Sequence, residues 1–342
     1  MAHASEMRRL LYGYLLARAL CAMAELGLAD QLAGAELTLA GLADRTAADP
    51  SGLSRLLRCL AAFNVITAHP AGTFSLTPLG ETLRSDLPGT ALPTAMLISA
   101  VVGPAWNELS EVVRTGEPSF PKVFASDFFA HIDGDPRLHQ IFDHSQQAGL
   151  ALEVDEIIRS VHFADSGVLV DIGGGDGALL EALLAVHPNL GGILIERPGV
   201  LSHAVRRMAE SGMSDRVEFQ SGDFFTDLPT TADSYLLRHI LHNWDDLNCA
   251  ALLRECRRVM KEHAQLIIIE QVIDVEAPAS RSTQAAALMD LYMMSLFGGG
   301  RERTRGEFDA LLESAGFISD SFTPLCTGTG VITAHIDERR YK

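Results

Sequence analysis

The sequence predicts an α/β protein whose N-terminal part is mainly helical and carries a small winged element. From about residue 165, apolar strand-like runs alternate with helical ones. A glycine-rich turn, Gly173-Gly174-Gly175-Asp176-Gly177, directly follows the first of those strands. Upstream, a helix–turn–helix pattern runs into two short β-runs between residues 65 and 76. Alternation of the first kind gives a largely parallel sheet covered by helices.

The chain has 342 residues, 47% of them hydrophobic, which suits two domains with sizeable cores. The change of pattern puts the boundary near 160, with residues 1–160 helical and 161–342 α/β. A formal net charge of −17 argues against a nucleic-acid partner, because the chain repels a phosphate backbone. No polybasic face is present to hold it on anionic lipid, and no run is long and clean enough to span a membrane. Cys21, Cys59, Cys249, Cys256 and Cys326 form no CxxC pair and no Cys/His cluster. They read as reduced thiols of a cytoplasmic protein, with no metal site expected.

Met7-Arg8-Arg9 before an apolar run resembles a signal peptide, but Arg18 and Glu25 interrupt the run. It reads instead as an amphipathic helix with Leu10, Tyr14, Ala17, Cys21, Ala24 and Leu28 on one stripe. Thr38 is placed to cap a short helix, and Asp49-Pro50 starts another, with Asp as N-cap and Pro at N1. That second helix buries Leu53, Leu56, Leu57 and Leu60. Val65-Ile66, a turn at 70–72 and Phe74–Leu76 complete a wing. Arg55 and Arg58 make a DNA-binding winged helix conceivable, yet the acidic balance favours a packing and dimerisation module.

Residues 90–160 continue as helices broken by prolines and glycines. They gather Trp106, Phe120, Phe124, Phe128, Phe129 and Phe142, either as core or as the wall of a pocket for a flat ligand. The α/β part then reads as strands at 168–172, 192–195, 217–220, 234–237 and 264–269. Helices are expected at 179–186, 201–211 and 250–260.

Glycines after a buried strand let the backbone turn tightly and let a ligand approach it, at the sheet edge where open α/β folds bind ligands. The spacing is GGGDG rather than GxGxxG, and Asp171 sits just before it. A carboxylate there suits a cationic amino-acid ligand better than a pyrophosphate. Glu196 ends the second strand, where an acid can accept ribose hydroxyls. Asp223 and Phe224 follow the third, placed for an adenine amino group and ring. Three acids at three successive strand ends point to S-adenosylmethionine.

The motifs VDIGGGDG at 170–177, RVEFQSGDFF at 216–225, LRHILHNWDD at 237–246, GGGRERT at 298–304 and AGF at 315–317 run through the α/β part. With them the sequence resembles the small-molecule O-methyltransferases, a class spanning plant caffeate and flavonoid enzymes and bacterial polyketide and antibiotic tailoring enzymes. The resemblance covers nearly the whole chain. It implies a Rossmann-like methyltransferase domain preceded by a helical winged-helix dimerisation domain, hence a homodimer, with the first domain helping to form the pocket of a small-molecule acceptor. It implies that Asp171, Gly173, Gly175 and Gly177 shape the donor pocket, that Glu196, Asp223 and Phe224 hold the adenosine, and that Arg238 lies near the donor. His242 matches the catalytic base, flanked by Glu270 and Glu302. Phe142, Gln146, His239, Asn243, Met293 and Phe297 are the expected acceptor-side residues.

Methyl transfer to a hydroxyl needs alignment of the acceptor and removal of its proton. Histidine suits the second task, and a neighbouring carboxylate fixes its tautomer. Two positions depart from the family's pattern. Asn243 replaces the usual Asp after the histidine, and Gln146 stands where relatives often carry Met. They leave room for donor-binding relatives that decarboxylate, hydroxylate or close rings. A winged-helix regulator with a ligand-sensing α/β domain is the alternative of another class.

Overall fold

The computed structural model describes residues 2–163, 167–229, 232–277 and 279–341. The chain forms two compact units. One comprises the residues up to Pro104 together with Asp135–Ala151. The other comprises Ala105–Gly134 and the chain from Leu152 onward. The division is therefore not a single cut near 160. Residues 105–134 belong to the α/β unit because they pack into it: Ser119 donates its backbone N–H to the Ser295 carbonyl at 3.1 Å, and the ring of Phe128 stands edge-on to Phe297 at 5.4 Å.

In the first unit, Thr38 caps the helix Leu39–Thr46 through Gly41 N, and Asp49 caps Pro50–Ala62 through Gly52 N. Each side-chain oxygen satisfies an amide that the first helical turn leaves without a partner. The strands β1 (Leu37–Thr38), β2 (Ile66–Ala68) and β3 (Thr73–Leu76) pair antiparallel in the order β1-β3-β2. Met23, Leu28, Leu42, Leu57, Leu60 and Ile66 form the core beneath them. On the first helix, Ala2–Glu25, the expected stripe is buried only from Cys21 onward. Leu10 and Tyr14 are exposed beside Met7, Leu11, Tyr12 and Leu15, an apolar surface larger than scattered side chains would make. No helix among the described residues is long and apolar enough to cross a membrane.

The second unit is built on β4 (Gly167–Ile172), β5 (Leu190–Glu196), β6 (Val217–Ser221), β7 (Ser234–Arg238), β8 (Gln265–Ile273), β9 (Arg303–Thr304), β10 (Phe317–Pro324) and β11 (Thr329–Ile336). The order is β10-β11-β8-β7-β4-β5-β6, with β9 pairing the far end of β8. Strands β6 to β8 along that path are parallel, while β11 and β10 run antiparallel. The parallel strands are covered on both faces, so they read as unbroken apolar runs; Leu169, Val170, Ile172, Leu236 and Ile268 are wholly buried. The order reverses at β4, whose neighbours β5 and β7 lead away in opposite directions. An open α/β sheet has its crevice at such a switch point, beyond the carboxyl ends of the strands.

Candidate active site

The glycine loop leaves β4 at that crevice. Gly173, Gly175 and Gly177 all take positive φ, of 67°, 59° and 80°. A Cβ on Gly174 would stand 2.5 Å from Asp171 Oδ2, so only glycine lets the loop fold over this carboxylate. A Cβ on Gly175 would meet nothing within 4 Å, which leaves one face of the loop open. Arg207, on the helix Pro198–Glu210, fixes the loop from outside. It bonds Asp176 Oδ2 at 2.5 Å and Glu181 at 3.0 Å, and Asp176 Oδ1 accepts from Ala178 N at 3.2 Å.

Asp171 is 2% exposed, and its Oδ2 is buried with no hydrogen-bond partner. Burial pushes its carboxyl up to about 7, against the opposing pull of Arg238. A buried carboxylate oxygen without a partner asks for a donor, and a cationic one most of all. Glu196 Oε2 accepts from Gly175 N at 3.2 Å and Oε1 from Arg197 N at 2.8 Å, so the acid is held against the loop with lone pairs to spare. Asp223 closes its own turn by accepting from Phe225 N at 2.9 Å. Phe224 lies against the loop and faces Trp244, their ring centroids 6.4 Å apart. Arg238 bonds Glu153 Oε1 at 2.8 Å, and Glu153 Oε2 accepts from Thr327 at 2.8 Å. Glu153 and Arg207 are contributors that no local sequence signal marks.

Beyond β7 the chain turns at His239, which takes φ 54°, into a short 3₁₀ turn at Leu241–Asn243. Glu270, inside β8 and fully buried, organises this turn. Its Oε1 accepts from Ile240 N at 2.9 Å, Leu241 N at 2.7 Å and His242 N at 3.4 Å. Its Oε2 stands 3.6 Å from His239 Nδ1 and 3.7 Å from His242 Nδ1. Glu302, just before β9, reaches the same place and meets His242 Nδ1 with its Oε1 at 3.0 Å. Arg303, wholly buried, pins the turn by donating to the carbonyls of Leu241 at 3.0 Å and Trp244 at 2.9 Å. Asn243 donates its side-chain amide to the His239 carbonyl at 3.1 Å, a contact that closes the turn.

Charge follows from this arrangement. Burial pulls the His242 imidazole down, but Glu270 and then Glu302 outweigh it and hold the group above its ordinary value. His239 goes the other way, lowered by burial and by Arg238. Glu270 stays ionised despite burial because His242 and His239 face it, whereas burial raises Glu302. His239, His242 and Glu270 also bring one ligand atom each within 4.8 Å of the others, a spacing that a divalent ion could bridge. The Nδ1 atoms that face Glu270 are the ones that carry protons there.

Met293 is buried on the helix Arg281–Leu296. Phe297 follows it, with Phe128 and Phe129 each 5.4 Å from its ring. Phe120 and Phe124 extend this aromatic group, and Arg197 lies over Phe129 at 4.8 Å. Phe142 and Gln146 belong to the helix Pro136–Ala151 of the first unit. Glu196, Phe224 and Arg238 thus lie around the loop that holds Asp171, Gly173, Gly175 and Gly177, and Glu270 and Glu302 meet His242 at the turn that also holds His239 and Asn243.

Residues 106–318 match the model of the O-methyltransferase domain, and residues 8–86 that of the O-methyltransferase dimerisation domain. The O-methyltransferase SfmM3 of Streptomyces lavendulae is 43% identical over 330 residues, covering 96% of this chain and 99% of that protein. The solved structure of the mitomycin 7-O-methyltransferase MmcR is 32% identical, with a TM-score of 0.90 and 98% of each chain covered. The neocarzinostatin-biosynthesis O-methyltransferase NcsB1, solved with S-adenosylmethionine and 2-hydroxy-5-methyl naphthoic acid, is 32% identical with a TM-score of 0.81, covering 94% of this chain and 96% of that one. On its domain models, its relatives and its fold, the chain belongs to the O-methyltransferase family.

Proposed function

We propose that the protein methylates a hydroxyl of an aromatic or polyketide-like small molecule with S-adenosylmethionine as donor, in secondary-metabolite tailoring, and that His242 is the general base. The observation that carries this reading is the 3.0 Å contact of His242 Nδ1 with buried Glu302 beside the glycine loop and its unpartnered Asp171. The complex of NcsB1 with S-adenosylmethionine and a naphthoic acid supports the acceptor class.

The donor site fits the donor. Asp171 offers a buried, unsatisfied acceptor to an ammonium group, Glu196 has lone pairs for ribose hydroxyls, and Phe224 has a ring face for the adenine. Gly173, Gly175 and Gly177 carry the chain past it. Bound there, S-adenosylmethionine supplies an already activated sulfonium methyl. The protein is left to align the acceptor and to accept its proton.

His242 performs the second task. Its Nδ1–H donates to Glu302, which leaves the Nε2 lone pair for the hydroxyl proton. Glu270, 3.7 Å away, stabilises the imidazolium that forms. The base is tuned by two buried carboxylates rather than by its chain neighbour. Asn243 holds the His239 carbonyl instead, as a donor, a contact that an ionised Asp could not make.

The exposed apolar side chains of the first helix fall within or beside the dimerisation match and support a homodimer through the first unit. The charge of −17 supports an enzyme with no nucleic-acid partner, and the free cysteines support a reducing, cytoplasmic compartment. The test is incubation with methyl-labelled S-adenosylmethionine and a panel of phenols and hydroxynaphthoates. A product heavier by one methylene supports the reading. Substrate consumed without label incorporation points to non-methylating chemistry.

A further inference from the structure

His239 is the one titratable group of the histidine turn that the proposed reaction does not use. Its position is costly. It takes φ 54°, a region that non-glycine residues seldom occupy, and it is pinned there at both ends. Its backbone N–H donates to the Ile269 carbonyl at 3.0 Å, and its carbonyl accepts from Asn243 at 3.1 Å. The effect is to stack its ring on that of His242, with centroids 5.3 Å apart and planes 25° from parallel.

Both rings turn the same edge inward, since each points Nδ1 at Glu270 Oε2, at 3.6 Å and 3.7 Å. His239 Nδ1 is buried without a hydrogen-bond partner, yet the side chain keeps 23% of its surface. The exposed part is therefore the opposite edge, which carries Nε2. A ring nitrogen that faces a carboxylate holds the proton, so Nε2 is the lone-pair atom in both rings. Two acceptor nitrogens then belong to one ring pair, whose centroids lie 5.3 Å apart. A packing role would need neither the nitrogens nor the strained backbone.

We propose that His239 reads the acceptor: its Nε2 accepts a hydrogen bond from a second hydroxyl in a 1,2- or 1,3-relation to the one that His242 deprotonates, so that the acceptor is a dihydroxylated aromatic ring. The proposal rests on His242 being the base. A ring with one hydroxyl satisfies one nitrogen and leaves the other desolvated and unpaired. Sites built around a polar partner reject analogues that lack it far more strongly than apolar pockets reject a missing methylene. Burial and Arg238 keep His239 neutral, as an acceptor must be.

The experiment measures binding of 2-naphthol, naphthalene-2,3-diol and naphthalene-1,3-diol by calorimetry to the full-length protein loaded with S-adenosylhomocysteine. The better diol is expected to bind at least about tenfold tighter than 2-naphthol. His239→Asn, which tolerates the left-handed backbone, and His239→Phe, which keeps the ring volume, are both expected to bring that ratio close to one while 2-naphthol still binds. EDTA is expected to change nothing. Equal binding of mono- and dihydroxy probes, no binding of either diol, an unchanged ratio in both variants, or a preference abolished by EDTA each overturns the proposal. Whether labelled methyl reaches a bound diol is read separately. Binding with the predicted ratio but no transfer counts against the base, not against the recognition.

Discussion

His242 Nδ1 and Glu302 Oε1 stand 3.0 Å apart, although sixty residues of chain separate them. The contact fixes the imidazole tautomer, because a ring nitrogen that faces a carboxylate must carry the proton. Glu302→Gln keeps the size of that partner and removes its charge. Two effects are expected in the rate–pH profile. Maximal turnover falls by roughly a hundredfold, as the imidazolium loses its support. The acid limb also moves to lower pH. As the proposed base, His242 would work only unprotonated; it is held above its ordinary 6.5 in part by Glu302, so removing the carboxylate lowers the pH at which it loses its proton. An acid limb that stays in place or moves to higher pH counts against this assignment.

Asp171 carries a burial penalty that the proposed donor contact would offset. Its carboxyl is pushed from 3.8 up to about 7 by burial. As pH rises through 3.8, the unfolded chain releases this proton while the folded chain retains it. Stability of the donor-free protein therefore falls between about 4 and 7 and stays lowered above. Asp171→Asn removes the penalty. The donor-free variant is expected to melt higher than the native chain at pH 8, and no higher at pH 4. Its affinity for S-adenosylhomocysteine is expected to drop by roughly ten- to a hundredfold, the scale of one charge-assisted hydrogen bond. Equal donor affinity in the two proteins contradicts the role given to Asp171.

Gly174→Ala tests the loop itself. The new Cβ would sit 2.5 Å from Asp171 Oδ2, so the acid or the loop must shift. Donor binding measured by calorimetry is expected to weaken at least tenfold with the fold retained, since misplacing a liganding group by an ångström suffices. Gly175→Ala meets no atom and strains only φ, so it is the milder change in stability.

Much of the donor side is legible in the sequence, because each acid sits at a strand end that apolar runs announce. Asp171 is the last residue but one of β4, Glu196 is the last of β5, and Asp223 lies two residues beyond β6. The antiparallel pair β10 and β11 is harder to read. Phe317–Pro324 is an edge strand, half of it polar and all but Phe317 at least part-exposed, and no helix alternates with it. Long-range partners are harder still. Nothing near Glu153 says that it meets Arg238, and nothing near Arg207 says that it braces Asp176. Glu270 and Glu302 are legible only through the family resemblance. The left-handed turn at His239 is set by the Asn243 and Ile269 contacts, not by a glycine that the sequence would reveal.

The central claim is that His242 removes the acceptor's proton while the donor is bound elsewhere. The direct measurement is single-turnover methyl transfer by His242→Ala, with the affinity for S-adenosylhomocysteine measured on the same preparation. The account predicts a loss of roughly a thousandfold in the transfer rate and donor affinity within about twofold of the native protein. Transfer at the native rate would contradict it.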